Sequence, residues 1–250
     1  MNSTALIGEL TRLARAAGDP ALELVIAGEG NASARSAGGD LLVSASGSRL
    51  ADADADTWVE VSAERILDDL DTAAGDDDWL RAVERSRIDP GSPRPTVEVA
   101  LHAVLASEAG ADFVLHTHPT AVLALLCSGH GELLARRRYF PDHIVMLGEE
   151  DCLIPYIDPG LELAREVRRR IRDWIAQHGE PPRTVLVEHH GVFALGRSRH
   201  EALERTLMLV KVARLMIPTL RDGGPIPLTD GQVARIAGRE DEAYRRTALA

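Results

Sequence analysis

The stretch Asp112-Phe113-Val114-Leu115-His116-Thr117-His118-Pro119 reads as a buried strand that ends in two histidines. Its apolar run has a strand's length and composition. Side chains two apart on a strand share a face, so His116 and His118 present two imidazoles side by side at the strand's end. Pro119 cannot continue a central ladder, so the pair sits where the strand stops and a pocket can open. Two neutral imidazoles held in this way are half of a metal site. A third imidazole and a carboxylate would complete a catalytic centre.

The rest of the chain fits an enzyme of this kind better than a nucleic-acid or membrane protein. Its 250 residues are 45% hydrophobic, enough to bury a sizeable core. A formal net charge of -11 argues against general electrostatic binding of nucleic acid or an anionic membrane. Two cysteines, Cys127 and Cys152, make neither a disulfide framework nor a Cys-rich zinc module, and both read as small buried hydrophobes. No basic leader precedes an apolar core at the N-terminus and no run is long enough to span a membrane, so a cytoplasmic protein is expected.

Outward from the histidine strand, helices are expected over 4–17, in two short pieces over 62–87, from Thr96 to about Ala109, over 121–127, 161–177 and 198–216, and in the tail from Thr229 to Tyr244. Strands are expected at 40–44, 58–61, 144–147, 152–156, 184–188 and 191–195, with turns at Gly28–Ser33 and Ser46–Ser48. Prolines at 90, 93 and 95 break the chain before the Thr96 helix, with Thr96 as its N-cap and Glu98 in its first turn. Strands and helices mix without strict alternation, which predicts an α/β fold with a largely antiparallel, mixed sheet. One domain is expected over 1–250, with a core over about 5–220 and a helical tail over 221–250.

Seven histidines remain as candidate third ligands. His178 and His200 lie at polar helix ends and read as surface residues. His102 lies four residues after Glu98, so the two share one helix face. His189 and His190 end an apolar strand and precede Gly191, the same setting as the first pair. Neighbouring strand residues face opposite ways, so one of the two can enter the pocket, and spacing does not say which.

Taken together, Gly30-Asn31-Ala32-Ser33, Ser46-Gly47, Pro95-Thr96-Val97-Glu98, His116-Thr117-His118, His189-His190-Gly191 and the capped helix from Ser198 stand in the order of the class II aldolase/adducin family. The chain resembles that family over roughly residues 5–220. The family includes fuculose phosphate and rhamnulose phosphate aldolases, a ribulose phosphate epimerase and a methylthioribulose phosphate dehydratase. Residues 95–126 and the insertion over 54–94 are most similar to the rhamnulose phosphate aldolase-like subgroup fused to a short-chain dehydrogenase, though at this length no dehydrogenase is expected here.

The resemblance implies a three-layer α/β/α domain and a homo-oligomer, a tetramer with its site between subunits. It also implies a metal held by His116, His118 and His190, with Glu98 as acid/base and able to ligate the metal before substrate arrives. Asn31, Ser46, Gly47 and Thr96 match positions that hold a substrate phosphate, and Tyr244 resembles a tail tyrosine lent to a neighbouring site. His143 is a further candidate proton donor. The implied activity is a metal-dependent lyase that cleaves a ketose or ketose phosphate through a metal-stabilised enediolate. Zn²⁺ suits three imidazoles best, and Mn²⁺, Co²⁺ or Fe²⁺ also fit. The alternatives on this scaffold are an epimerase, dehydratase, decarboxylase or non-haem iron oxygenase, or a non-catalytic adducin-like module. Gly28 and Val97 stand where fuculose phosphate aldolase carries hydroxyl side chains, which weakens the case for a phosphorylated substrate.

Overall fold

In a computed structural model, which describes residues 2–241, seven strands form one sheet in the order β3-β2-β1-β4-β7-β6-β5. The strands are β1 (Asn31–Arg35), β2 (Leu41–Ser44), β3 (Trp58–Val61), β4 (Phe113–Thr117), β5 (Cys152–Ile154), β6 (Thr184–Val187) and β7 (Gly191–Gly196). Every neighbouring pair is antiparallel except β5 with β6. The histidine strand β4 lies at the centre, with Asn31 opposite His116 on one side and Phe193 opposite it on the other.

Alternation along the strands builds two separate cores. On one face Ala32, Ala34, Phe113, Leu115, Leu186 and Val192 pack under α1 (Ser3–Ala17), α5 (Thr120–Leu126), α6 (Gly131–Arg136) and α9 (Arg199–Thr219). On the other, Val43, Val61, Val114, Val187 and Phe193 pack under α2 (Ala63–Thr72), α3 (Asp76–Ser86), α4 (Val99–Ser107) and α8 (Leu161–His178). This is the three-layer α/β/α arrangement expected. A one-residue slip in any central strand would exchange the two sets, so the register is strongly specified. It also places Asn31, Ser33, His116 and Phe193 on the face that α4 covers. Helix α4 is apolar on all sides because the sheet, α2 and α8 enclose it. Its start is therefore a fixed platform, and Glu98 occupies it. No helix among the described residues is long and apolar enough to cross a membrane.

Several elements differ from the sequence expectation. Residues 144–147 belong to helix α7 (Pro141–Leu147), which Pro141 opens at its first turn. A four-residue apolar run does not distinguish a strand from a buried helical segment. Residues 31–35 form a central strand rather than the continuation of a turn. Its alanines and serine fit close under α4 and α1, and such small residues give no apolar pattern. Helix α6 has no counterpart among the expected elements. Thr96 is not an N-cap: α4 begins at Val99 with Glu98 in the cap position, and the Thr96 hydroxyl accepts from the Glu98 N–H at 3.4 Å. Cys127 is exposed, not buried, whereas Cys152 is buried and its thiol is pushed up to about 12 by desolvation. The tail helix α10 covers Asp230–Ala237 and stops at Gly238. Tyr244 lies outside the described residues.

Candidate metal centre

His116, the next-to-last residue of β4, is fully buried and faces α4. Its Nδ1–H donates to the Val192 carbonyl at 3.0 Å, which turns Nε2 toward Glu98 and His118. His118 follows just beyond the strand, where its backbone N–H is held by the Leu24 carbonyl at 3.0 Å. Its Nε2 stands 2.8 Å from that of His116.

The choice between His189 and His190 is made by the backbone. His189 adopts a left-handed conformation with φ of 55° and packs against the Tyr156 ring. That turn sends His190 the other way, with its Nε2 2.9 Å from Glu98 Oε1. Gly191 follows because there is no room for anything larger. A Cβ there would lie 2.6 Å from the Thr117 carbonyl oxygen and 2.7 Å from the His118 ring. Gly30, at φ +73°, makes a second close approach, since a Cβ would lie 2.7 Å from the His116 carbonyl oxygen.

Among the described residues, ligand atoms of His116, His118 and His190 form a cluster that could hold a metal ion, all within 4.8 Å of one another. The Glu98 carboxylate joins them, with Oε2 3.2 Å from His116 Nε2. Burial pushes the Glu98 carboxyl upward, but the charge and hydrogen bonds of His116 and His190 outweigh it and hold it well below the usual range. His118 is pushed down to about 3, chiefly by burial and then by the neighbouring imidazoles. The donor set fits a divalent metal: three imidazoles, one of them with its ring oriented by a backbone carbonyl, beside a carboxylate.

The centre lies at the floor of a cleft of about 340 Å³. Asn31, Ser46, Gly47 and Thr96 all line it, as do Gly28 and Val97. The cleft also brings in Glu29, whose Oε1 lies 4.0 Å from His118 Nδ1, and Pro159. Neither stood out in the sequence, because both fall in turns without a metal-ligand spacing. His143 does not line the cleft. It is buried on α7 between Tyr139 and Phe140, with neither ring nitrogen hydrogen-bonded, and burial with the Arg138 charge pushes it down to about 2.

Residues 9–217 match the model of the class II aldolase and adducin N-terminal domain, and the chain belongs to that family. Over 142 residues, 57% of this chain, it is 27% identical to the uncharacterized oxidoreductase YuxG of Bacillus subtilis (strain 168), of which the match spans 18%. Among solved structures it is similar to YgbL of Klebsiella pneumoniae, described as an aldolase, epimerase or decarboxylase. That likeness has a TM-score of 0.72 at 21% identity over 94% of this chain and 99% of the other. It is also similar to an L-fuculose 1-phosphate aldolase, with a TM-score of 0.71 at 17% identity over 98% of both chains. Class II aldolases use a divalent metal and act on small molecules.

Proposed function

We propose that His116, His118 and His190 bind one divalent metal ion, most favourably Zn²⁺, and that the chain cleaves a ketose or ketose phosphate by a reversible aldol reaction with Glu98 as acid/base. The observation that carries this reading is a cluster of three imidazoles, two of them with Nε2 within 3.2 Å of a buried carboxylate, at an open cleft. When bound, a divalent ion supplies Lewis acidity to substrate oxygens and offsets the negative charge that develops as the carbon–carbon bond breaks.

Glu98 is ionised and can take the proton of the hydroxyl on the carbon being cleaved. The freed oxygen pair forms the aldehyde carbonyl, and the electrons of the broken carbon–carbon bond pass to the ketone fragment. Glu98 then returns its proton to that carbon, so protons and electrons balance with one residue. Three neutral imidazoles leave the charge of the ion unquenched. Asn31, Ser46, Gly47 and Thr96 form the wall that holds the far end of the substrate. Gly28 and Val97 add no hydroxyl to that wall, so free ketoses are tested beside phosphorylated ones.

We also infer a cytoplasmic homo-oligomer, a tetramer. Val97, 63% exposed at the cleft, and Ile26, 66% exposed, are large apolar side chains of the kind a second subunit would cover.

The test combines metal analysis of the purified protein with a turnover screen of ketose phosphates, free ketoses and aromatic hydroxy acids. One bound divalent ion per chain and aldehyde release from a sugar are expected. Metal retention without aldehyde from any sugar would move the reading to an epimerase, dehydratase or decarboxylase. A protein that binds no divalent metal, with His116→Ala indistinguishable from wild type, would overturn the site.

A further inference from the structure

Glu98 Oε2 accepts a hydrogen bond from Asn31 Nδ2 at 2.7 Å. The other end of that amide, Asn31 Oδ1, lies 2.5 Å from His102 Nε2. His102 Nδ1 in turn lies 2.7 Å from Ser33 Oγ. All four side chains are buried, and His102 and Ser33 are fully so. The roles are forced from one end. The Asn31 amide nitrogen donates to the Glu98 carboxylate, so the amide oxygen faces His102. That oxygen only accepts, so His102 Nε2 must carry the hydrogen. His102 is neutral, pushed down to about 3 mainly by burial, so Nδ1 has no hydrogen and must accept from the Ser33 hydroxyl. The hydrogen bonds therefore run one way, from Ser33 through His102 and Asn31 to Glu98.

The fold supplies each member for a separate reason. Asn31 and Ser33 are two apart on β1 and share the face that α4 covers. His102 lies one turn after Glu98 on the enclosed helix, with its backbone N–H directed to the Glu98 carbonyl at 3.3 Å. Phe193 supports the His102 ring edge-on.

We propose that Ser33 and His102 are positioning residues for this site, acting through Asn31 to fix the direction in which the Glu98 carboxylate faces the histidine cluster. His102 touches neither the cluster nor the cleft; its action is to stop the Asn31 amide from turning over. A flipped amide would set its oxygen against the Glu98 carboxylate, two acceptors in contact, and drive the carboxylate out of line. Asn31 has a second amide hydrogen and lines the cleft, so the same lock orients a donor toward bound substrate. The functional part of this inference rests on the reading of Glu98 as acid/base, whereas the hydrogen-bond order does not.

The experiment uses the full chain and two readouts. Long-range ¹H–¹⁵N correlation at pH 7 reads the His102 tautomer without substrate. Wild type is expected to show Nε2–H with bare Nδ1, and Asn31→Leu, which removes the acceptor facing Nε2 and leaves the Ser33 hydroxyl able to accept, to shift population toward Nδ1–H. The second readout is exchange of the carbon-bound hydroxymethyl proton of dihydroxyacetone phosphate, and of dihydroxyacetone, in D₂O. His102→Leu is expected to slow exchange about 100-fold at unchanged metal content, as for a catalytic group displaced by an ångström. His102→Gln, whose amide can donate to Asn31 and accept from Ser33, is expected to stay within about fivefold of wild type. A merely structural role would make both variants equally poor. An Nδ1–H or charged His102 overturns the proposal, and so does a His102→Leu protein that exchanges as fast as wild type. Wild type with the Nε2–H tautomer and no exchange on either probe supports the hydrogen-bond order and counts instead against the lyase reading.

Discussion

Gly191→Ala tests how tightly the histidine cluster is built. Gly191 does not need a left-handed backbone; it is required for space. The added methyl would meet the Thr117 carbonyl oxygen at 2.6 Å, the His118 ring at 2.7 Å and the His116 ring at 3.2 Å. The Thr117 backbone is pinned by the β4–β7 ladder, where it stands opposite Val192. His116 is held by its bond to the Val192 carbonyl. The His118 ring can yield by most of an ångström, whereas the backbone contact with the Thr117 carbonyl is relieved only by a shift of the residues around Gly191. Overpacking of this kind costs about 1–3 kcal/mol. For a chain of this size that is a fall in Tm of about 2–12 °C. Loss of alignment at one of three ligands should weaken Zn²⁺ binding by about 10–100-fold, the scale seen when a ligand's support is removed. The assays are thermal unfolding with and without Zn²⁺, and Zn²⁺ competition against a chromophoric chelator. Gly28→Ala is the control, since a Cβ at Gly28 meets nothing within 4 Å, and it should bind metal as wild type does. If Gly191→Ala matched wild type in both Tm and Zn²⁺ affinity, the account of why glycine follows His190 would be wrong.

Chelation of wild type with dipicolinate should lower Tm by an amount that depends on free Zn²⁺, whereas His190→Ala should show no chelator response. His143 should make the fold acid-sensitive. Its folded-state pKa of about 2 lies below the unfolded value, so the unfolded chain binds the extra proton, and stability is intact above about pH 6.5 and falls as pH drops toward 2. His143→Phe should flatten that limb by about 1.4 kcal/mol per pH unit, measured by urea unfolding between pH 7.5 and 4. Arg138 and Asp151 form a fully buried ion pair at 3.0 Å, so Arg138→Met should cost about 3–5 kcal/mol by leaving Asp151 uncompensated, read from the denaturant midpoint.

The histidine cluster is more legible in the sequence than the scaffold around it. His116 and His118 declared themselves because strand alternation turns a spacing of two into a shared face. His190 could not be separated from His189 by geometry alone, since the deciding event is the left-handed turn at His189, which no residue type there announces. The strand carrying Asn31 and Ser33 shows no apolar run because its buried side chains are small, with Asn31 and Ser33 on the α4 face alternating with Ala32 and Ala34 on the other. The run at 144–147 was misread because four apolar residues carry no period. Glu98 and His102 were seen to share a helix face, but their connection passes through a strand far away in sequence, and pattern along one helix does not contain it.

The order of strands in the sheet has a further consequence, for how the site comes into being during synthesis. β4 sits between β1, made early in the chain, and β7, made late. A nascent chain that has emerged only as far as His118 possesses two of the three imidazoles and the carboxylate, yet the third arrives only when β7 pairs with β4. Assembly of the histidine cluster therefore waits on the pairing of β7 with β4. The metal proposed for the site would tie β4 to the segment that enters β7, and so would secure the last strand pairing of the sheet to form.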